Sequence, residues 1–493
     1  MYLSKSKYVA GCQCPKILWM NVHMPEQFDE DSVNEKAVTQ GNEVGDLAMG
    51  YYGDFVEIPY NRHDYEGMAA MTRELIEAGT PVICEATFIH EGNFCMADIL
   101  RVEPDGVHLV EVKSATSVKE HYIDDVSYQY WVLTQCGLSV KSASLMHLNN
   151  EYVRQGELDL QELFVVEDLT DLVLAKQAEV PANIERFSVY CDQEEEPARG
   201  IGTYCDEAFP CGYMGWCWRD VPHPGVTDIA RIGREKGRAL YNQGIRTFED
   251  VLDAGVKLND GQMMQVLAEV NQLPPIIDPE GIAEWLDCLR YPLYFLDFET
   301  FQPAVPVYDG TRPYQQITTQ YSLHILDAPD GVLEHREFLA DERENPMRQV
   351  AEHLVADIPF GACTLAWNKK FECLRIKEMA EAFPDLAMHL MDIRANCLDL
   401  GDPFKDHHYY TREMGGSWSI KKVLPALFSD DPELDYHALE GVHHGGEAME
   451  AFERLASLNP EEREVVRRQL LRYCELDTYA MVKILEKLYE VAR

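Results

Sequence analysis

Apolar residues in this chain gather in short strand-like runs that close on acidic side chains, with stretches of helical period between them. In MADILRVEPDGVHLVEVKSAT, Asp98 opens a short apolar run, Asp105-Gly106 supplies a turn, and His108 to Val112 reads as the return strand of a hairpin. Helical spacing follows in DDVSYQYWVLTQCG and precedes it in TQGNEVGDLA. RYPLYFLDFETF is a continuous apolar and aromatic run, as a buried strand requires, and it ends in Asp297-Phe298-Glu299. Near the end, RYCELDTYAMVKILEKL predicts a helix with Tyr473 and Asp477 four apart and on one face. Two helices are expected in IARIGREKGRALYNQGIRTFEDVLDAG, the second begun by Thr247. The pattern is that of an α/β protein. At 493 residues it exceeds one ordinary core, and the breaks in texture divide it into residues 1–222, a helical connector over 223–290, and residues 291–493.

Composition narrows the function classes. With 46% hydrophobic and 10% aromatic residues the chain can bury its cores. A net charge of −42 repels nucleic acid at long range, which argues against a nonspecific polyanion binder. It does not forbid a nuclease, because at physiological salt the field is screened within ~8 Å and local groups decide contact. Arg231, Arg234, Lys236 and Arg238 form one basic run, and the pairs Lys369 with Lys370 and Lys421 with Lys422 form two more; each can equally solubilise a helix face. The opening residues hold no continuous apolar segment, and no run is long enough to span a bilayer, so a cytoplasmic protein with no membrane partner is expected.

Fourteen cysteines without a secretory signal point to thiols and metal rather than to disulfides. Most sit among apolar residues as small core side chains. Cys12 and Cys14 lie early, while Cys205, Cys211 and Cys217 are spaced five residues apart among glycines and aromatics, as in a loop around a metal centre. Zinc and a [4Fe-4S] cluster both fit such thiolates.

The acidic strand ends carry the candidate catalytic chemistry. Glu111 and Lys113 are two apart on a strand and leave one face, and with Asp98 they can hold Mg²⁺ while the lysine orients water or offsets phosphate charge. The alternative is a solvated edge strand. Asp297 and Glu299 likewise share a face of a strand too apolar to solvate them, for which a divalent cation is a usual solution.

Cys14-Pro15 followed by Lys16, Leu18 and Trp19, then the acidic core, then the late cysteine triplet, resembles the iron-sulfur nucleases of the RecB-like PD-(D/E)xK superfamily. The resemblance implies a restriction-endonuclease-like amino-terminal domain, stapled by Cys14, Cys205, Cys211 and Cys217 around the cluster, with Cys12 spare. The late spacing is wider than the commonest family pattern, which leaves zinc as the alternative to [4Fe-4S]. It further implies that Asp98, Glu111 and Lys113 are catalytic, joined by Gln129 on the following helix and Glu43 on an early one; Glu85 approaches the same place from a strand. The segment around Gly233, Gly237 and Gly244 looks like a degenerate helix-hairpin-helix, or equally a packing connector.

In the last 200 or so residues, CTLAWNKKFECLRIKEM resembles the second acidic motif of DnaQ-like exonucleases, with Glu372 where those families carry aspartate, and Tyr473-x3-Asp477 matches the third motif of their tyrosine-bearing DEDD branch. The residue five before Asp477 is Arg472, so the histidine branch does not apply. The resemblance implies an RNase H-like domain in which Asp297, Glu299, Glu372 and Asp477 hold two Mg²⁺ or Mn²⁺ ions and Tyr473 positions the attacking water. GSWSIKKVLPAL resembles the next helix of these enzymes, and Lys370, Lys421 and Lys422 are the implied nucleic-acid contacts. Asp392 and Asp399 take structural roles, and His443 and His444 read as loop residues.

As a whole the chain resembles an uncharacterised bacterial family joining these two domains. The implied function is a metal-dependent nuclease with two phosphodiesterase sites that leaves 5′-phosphates, runs 3′ to 5′ at the second site, and takes DNA in preference to RNA. No ATPase P-loop occurs, so any unwinding falls to a partner helicase. Two other classes compete: a nucleic-acid-binding or scaffolding protein with one or both sites inactive, and a thiol redox protein, which leaves the acids unexplained.

Overall fold

Two mixed sheets carry the acidic strand ends, one in each of two structural units. The computed structural model describes residues 3–32, 34–329 and 331–493. Unit 1 comprises residues 1–221 with 303–314, and unit 2 comprises 222–302 with 315–493. Both are mixed α/β. The connector expected over 223–290 is thus part of unit 2, and a twelve-residue segment from within the expected third domain is part of unit 1.

Unit 1 is built on strands β1 (Leu3–Ser4), β2 (Val56–Glu57), β3 (Val82–His90), β4 (Asn93–Glu103), β5 (Gly106–Lys113), β6 (Val140–Leu148) and β7 (Phe164–Asp168). They lie in the order β2-β3-β4-β5-β6-β7, with β1 parallel to β4. β3, β4 and β5 are antiparallel neighbours, and β5 runs parallel to β6. The helices that matter here are α1 (Lys5–Gln13), α2 (Pro15–His23), α3 (Glu35–Met49), α4 (Tyr65–Glu77), α5 (Glu120–Gln135) and α6 (Glu179–Cys191). Ser4, Asn34 and Asp64 each cap a helix by accepting from a first-turn N–H, and Pro15 opens α2 where no N–H is needed.

Alternation along β5 divides the core. Val107 and Leu109 join Tyr8 of α1, Val126, Tyr128 and Val132 of α5 and Phe187 of α6 on one face. Val110 and Val112 join Val44 and Ala48 of α3 on the other, where Ala304 and Val305 of the inserted segment also pack. Glu111, in step with Leu109, therefore faces α5. The inserted segment is anchored by hydrogen bonds from Arg154 N to Thr311 O (3.0 Å) and from Tyr314 Oη to Ser114 O (2.6 Å).

Unit 2 begins with short helices α7 (Arg234–Asn242), α8 (Phe248–Asp253) and α9 (Asp260–Val270), packed through Val226, Phe248, Val251 and Val266. Its sheet has strands β8 (Leu293–Phe301), β9 (Ile317–Leu326), β10 (Leu333–Leu339), β11 (Cys363–Ala366) and β12 (Cys397–Asp399), in the order β10-β9-β8-β11-β12. β8, β9 and β10 are antiparallel and the last two strands are parallel to β8. Around it lie α10 (Lys370–Ala382), α11 (Ile420–Leu427), α12 (Gly445–Arg454) and the long α13 (Pro460–Val491). α13 is held by Leu476, Met481, Ile484, Leu485 and Leu488, all essentially buried. At ~1.5–3 kcal/mol per buried apolar side chain, this anchorage is on the order of 10 kcal/mol, and it fixes the helix that carries Tyr473 and Asp477. No helix among the described residues is long and apolar enough to cross a membrane.

Candidate active sites

In unit 1, four elements bring charged groups to one point. β4 supplies Asp98, β5 supplies Glu111 and Lys113, α5 supplies Asp125 and Gln129, and α1 supplies Lys5. Glu111 is fully buried. Its oxygens accept from Lys5 Nζ (3.0 and 3.1 Å), Lys113 Nζ (2.6 Å) and Gln129 Nε2 (2.6 Å). Asp98 accepts from Lys5 Nζ (2.9 Å) and from the backbone N–H of Val112 (2.7 Å). Asp125 accepts from Lys113 (2.7 Å) and Gln129 (3.0 Å). One helical turn separates Asp125 from Gln129, which lets both reach the same strand.

Burial alone lowers an amine's pKa, but the surrounding carboxylates outweigh it here. Lys5 and Lys113 are both held well above the ordinary lysine value, Lys5 chiefly by Asp98 and Glu111 and Lys113 by Asp125 and Glu111. Lys113 is therefore an ammonium suited to orientation and charge compensation, not a base that takes a proton from water. Glu85 belongs with this group. Burial, then the charge on Asp98, pushes its carboxyl up to about 7. Its backbone has φ 55°, in the left-handed region that a non-glycine residue rarely occupies, a strain typical of functional positions. Glu43 stands exposed on α3, a helix packed against β4 and β5.

Lys5 has no counterpart among the residues that the sequence motifs single out. It is 93 residues from Asp98, and no motif marks a lysine on a short helix that only the β1–β4 pairing brings to the acids. Every oxygen of Asp98 and Glu111 already accepts a hydrogen bond, so this cluster fits a divalent ion only with the Lys5 amine displaced.

The second cluster lies in unit 2. Asp297 and Glu299 on β8 and Asp477 on α13 each present an oxygen within 4.8 Å of the others. They line a cleft of about 720 Å³ with Glu372, Tyr473, Lys421, Asn368 and the rings of Trp367, Phe371 and Trp418. Burial, followed by the charges of Asp477, Glu372 and Glu299, holds Asp297 well above the usual carboxylate range, and Glu299 is raised in the same way. Burial lifts Glu372 to about 8 and Asp477 to about 6. Glu372 Oε2 is buried and accepts no hydrogen bond. Several acids crowded out of water, one with an orphaned oxygen, are a donor set that fits a hard divalent cation.

Two further side chains support this cluster. Tyr436 Oη donates to Asp477 Oδ1 at 2.5 Å, from a short turn between α11 and α12. Asp399 accepts from the backbone N–H groups of Asn368 (2.9 Å), Lys369 (3.2 Å) and Gly401 (3.0 Å), and so shapes the turn that launches α10 and Glu372. Asp392 likewise accepts from Gly361 N (2.6 Å). His444 caps α12 and His443 pairs with Glu447. Lys421 lines the cleft; Lys370 and Lys422 are exposed and do not.

The thiols form a third centre. Cys14, Cys205, Cys211 and Cys217 line one pocket with Lys16, Arg199 and Met20, whereas Cys12 lines a separate cleft beside Val9 and Glu120. All fourteen cysteines are free. Burial raises the pKa of the Cys14, Cys211 and Cys217 thiols, Cys211 to about 12, so a metal would have to draw off their protons to hold them as thiolates. Four sulfur donors on one pocket fit zinc or an iron-sulfur cluster.

Residues 294–419, which include Asp297, Glu299 and Glu372, match the model of a domain of unknown function (DUF2779). The chain is 27% identical over 161 residues to the uncharacterized protein UU173 of Ureaplasma parvum, covering 30% of this chain and 23% of the relative. It is 28% identical over 222 residues to the uncharacterized protein MG366 of Mycoplasma genitalium, covering 41% of this chain and 32% of the relative. To the homologue of that protein in Mycoplasma pneumoniae it is 30% identical over 231 residues, covering 42% and 34%. The chain thus spans only about a quarter to a third of the length of the curated relatives it matches. No solved structure matches significantly.

Proposed function

We propose that this protein is a metal-dependent nuclease with two phosphodiesterase sites, a PD-(D/E)xK-like one in unit 1 and an RNase H-like, 3′ to 5′ exonucleolytic one in unit 2. The observation that carries the reading is the convergence of Asp297, Glu299 and Asp477 within 4.8 Å in a cleft that also holds Glu372 and Tyr473. Asp297, Glu299, Glu372 and Asp477 would hold Mg²⁺ or Mn²⁺, which supplies Lewis-acid polarisation of a phosphoryl oxygen and a more acidic bound water. Tyr473 remains protonated, since burial and Asp477 hold its hydroxyl far above the ordinary value, and it offers an O–H with which to orient water or phosphate. Tyr436 fixes Asp477, and Lys421 places a positive charge at the cleft wall. Trp367, Phe371 and Trp418 offer ring faces on which bases can stack, a sequence-tolerant contact that suits a strongly acidic protein with few cations to spend on phosphates.

At the unit 1 site the same chemistry would use Asp98 and Glu111, with Lys113 and Gln129 holding them. A second reading, in which only the unit 2 site cuts, is favoured by the Lys5 amine standing between Asp98 and Glu111. A [4Fe-4S] cluster, or zinc, at the four thiols would then tie α2 to the 205–217 loop.

The test is degradation of end-labelled single and double strands of DNA and RNA, with Mg²⁺ and Mn²⁺, by anaerobically purified wild type, Lys113→Ala and Asp297→Ala. Two active sites predict that each substitution removes part of the activity and the double variant all of it. If neither changes degradation, the proposal fails; if only Asp297→Ala does, the second reading stands.

A further inference from the structure

Three side chains that belong to neither acid cluster meet where α13 crosses the β9–β10 hairpin. His324 and His335 are directly paired across the two strands, and their rings stack with centroids 4.5 Å apart at 29°. Glu475, on α13, places Oε1 3.9 Å from His335 Nδ1. One donor atom from each of the three lies within 4.8 Å of the other two. His324 forms a buried rear wall at 4% exposure, while the His335 and Glu475 side chains are 24% and 28% exposed, so the cluster opens to solvent on one side.

Both rings are anchored from behind by hydroxyls. Thr478 Oγ1 lies 2.8 Å from His324 Nδ1, 2.6 Å from Ser322 Oγ and 3.1 Å from the Glu475 carbonyl. Ser322 Oγ in turn lies 3.0 Å from His335 Nε2. Each ring is thus held through one nitrogen, His324 by Nδ1 and His335 by Nε2. On His335 the other nitrogen, Nδ1, faces a carboxylate oxygen. The other Glu475 oxygen is already taken by Arg472 Nη1 at 2.6 Å. Two imidazoles and a carboxylate oxygen thus meet, each ring held from behind by a hydroxyl. Metal-binding histidines are commonly held in this way by a second layer of hydrogen bonds.

We propose that His324, His335 and Glu475 form a transition-metal site that binds Zn²⁺, completed by water and separate from the all-oxygen cluster of Asp297, Glu299, Glu372 and Asp477. Imidazole donors favour zinc over magnesium, which prefers oxygen. Donors at ~2.0–2.2 Å from a tetrahedral zinc stand somewhat closer together than 4.8 Å, and the closure falls on His335 and Glu475, the two partly exposed side chains. The bound ion would tie the β9–β10 hairpin to α13, two residues from both Tyr473 and Asp477. This inference does not depend on the nuclease reading.

The test uses the full chain, stripped with chelator and titrated with Zn²⁺ in excess Mg²⁺, with bound zinc counted by elemental analysis and affinity read by calorimetry. Wild type should bind one more equivalent of zinc than His335→Gln, and Glu475→Gln should weaken that equivalent at least tenfold. Zinc bound at the four thiols is common to all variants and cancels in the comparison. Wild type should also gain thermal stability with zinc beyond that of His335→Gln. Equal zinc content and affinity in wild type and both variants overturns the proposal, as does loss of the extra equivalent to competing Mg²⁺. Should His335→Gln fail to fold, Glu475→Gln, altered only at a partly exposed carboxylate, decides the matter alone.

Discussion

Replacing Asp477 by asparagine should stabilise the chelator-treated chain while abolishing cutting in unit 2. Burial raises the Asp477 carboxyl from 3.8 to about 6. A carboxyl with a raised folded value holds its proton more tightly in the native state than in the unfolded chain. Its contribution to stability is therefore fully present below pH 3.8 and is lost as pH rises through about 6. Above that, keeping it ionised costs about 3 kcal/mol, at about 1.4 kcal/mol for each tenfold change in proton affinity. Asparagine carries no charge and keeps an oxygen for Tyr436 Oη, so Asp477→Asn avoids the penalty with little loss of contact. At pH 8 in chelator the variant should unfold roughly 6–12 °C above wild type, and by pH 5 the difference should fall to roughly half. Saturating Mg²⁺ should narrow the gap from the other side, adding about 2.7 kcal/mol to wild type at a hundred times its Kd and little to the variant. Thermal unfolding by circular dichroism, with calorimetry to separate the transitions of the two units, reads all of this. A variant no more stable than wild type at pH 8 in chelator would show that burying the Asp477 carboxylate carries no such cost, and equal stabilisation of both proteins by Mg²⁺ would show that Asp477 does not hold the ion.

Four further outcomes are expected. Gly11→Ala places a Cβ 2.7 Å from Leu18 Cδ1 and from the Phe187 ring, an overpacking that should cost about 1–3 kcal/mol in a urea titration; an unchanged midpoint means that the α1–α6 contact yields freely. Tyr128 Oη donates to Leu3 O (2.6 Å) and accepts from Phe94 N (3.2 Å) in the core, so Tyr128→Phe should lose about 1–3 kcal/mol, and a neutral result would show that these groups find other partners. Lys5→Met, in an Asp297→Ala background, should lower the Mg²⁺ concentration needed for half-maximal cleavage, and an unaltered requirement rules out Lys5 as a competitor for the ion's place. Cys211→Ser should lower the iron or zinc retained by the anaerobically purified chain, whereas full retention would put the metal elsewhere.

Much of the site is legible in the chain because its elements are local. Glu111 and Lys113 share a face by strand period alone, and Tyr473 and Asp477 by helix period, so their pairing needs no knowledge of the fold. The alternation in HLVEV likewise sets which residues of β5 face α5. Lys5 and Tyr436 were not legible in the same way. Lys5 reaches Asp98 only because β1 pairs with β4, and Tyr436 meets Asp477 across 41 residues of turns and helix. A lysine and a tyrosine in so charged and aromatic a chain carry no signal without their neighbours.

The kinds of elements, the acids at their ends and the clustering of late cysteines follow from residue type and spacing over one or two turns or strands. How charge is balanced follows only from the folded arrangement. Only folding could put an amine between Asp98 and Glu111, crowd Asp297, Glu299, Glu372 and Asp477 into one cleft, and bring His324 and His335 together with Glu475. Electrostatic energy depends on distance and burial, which sequence spacing does not specify once the partners lie on different elements.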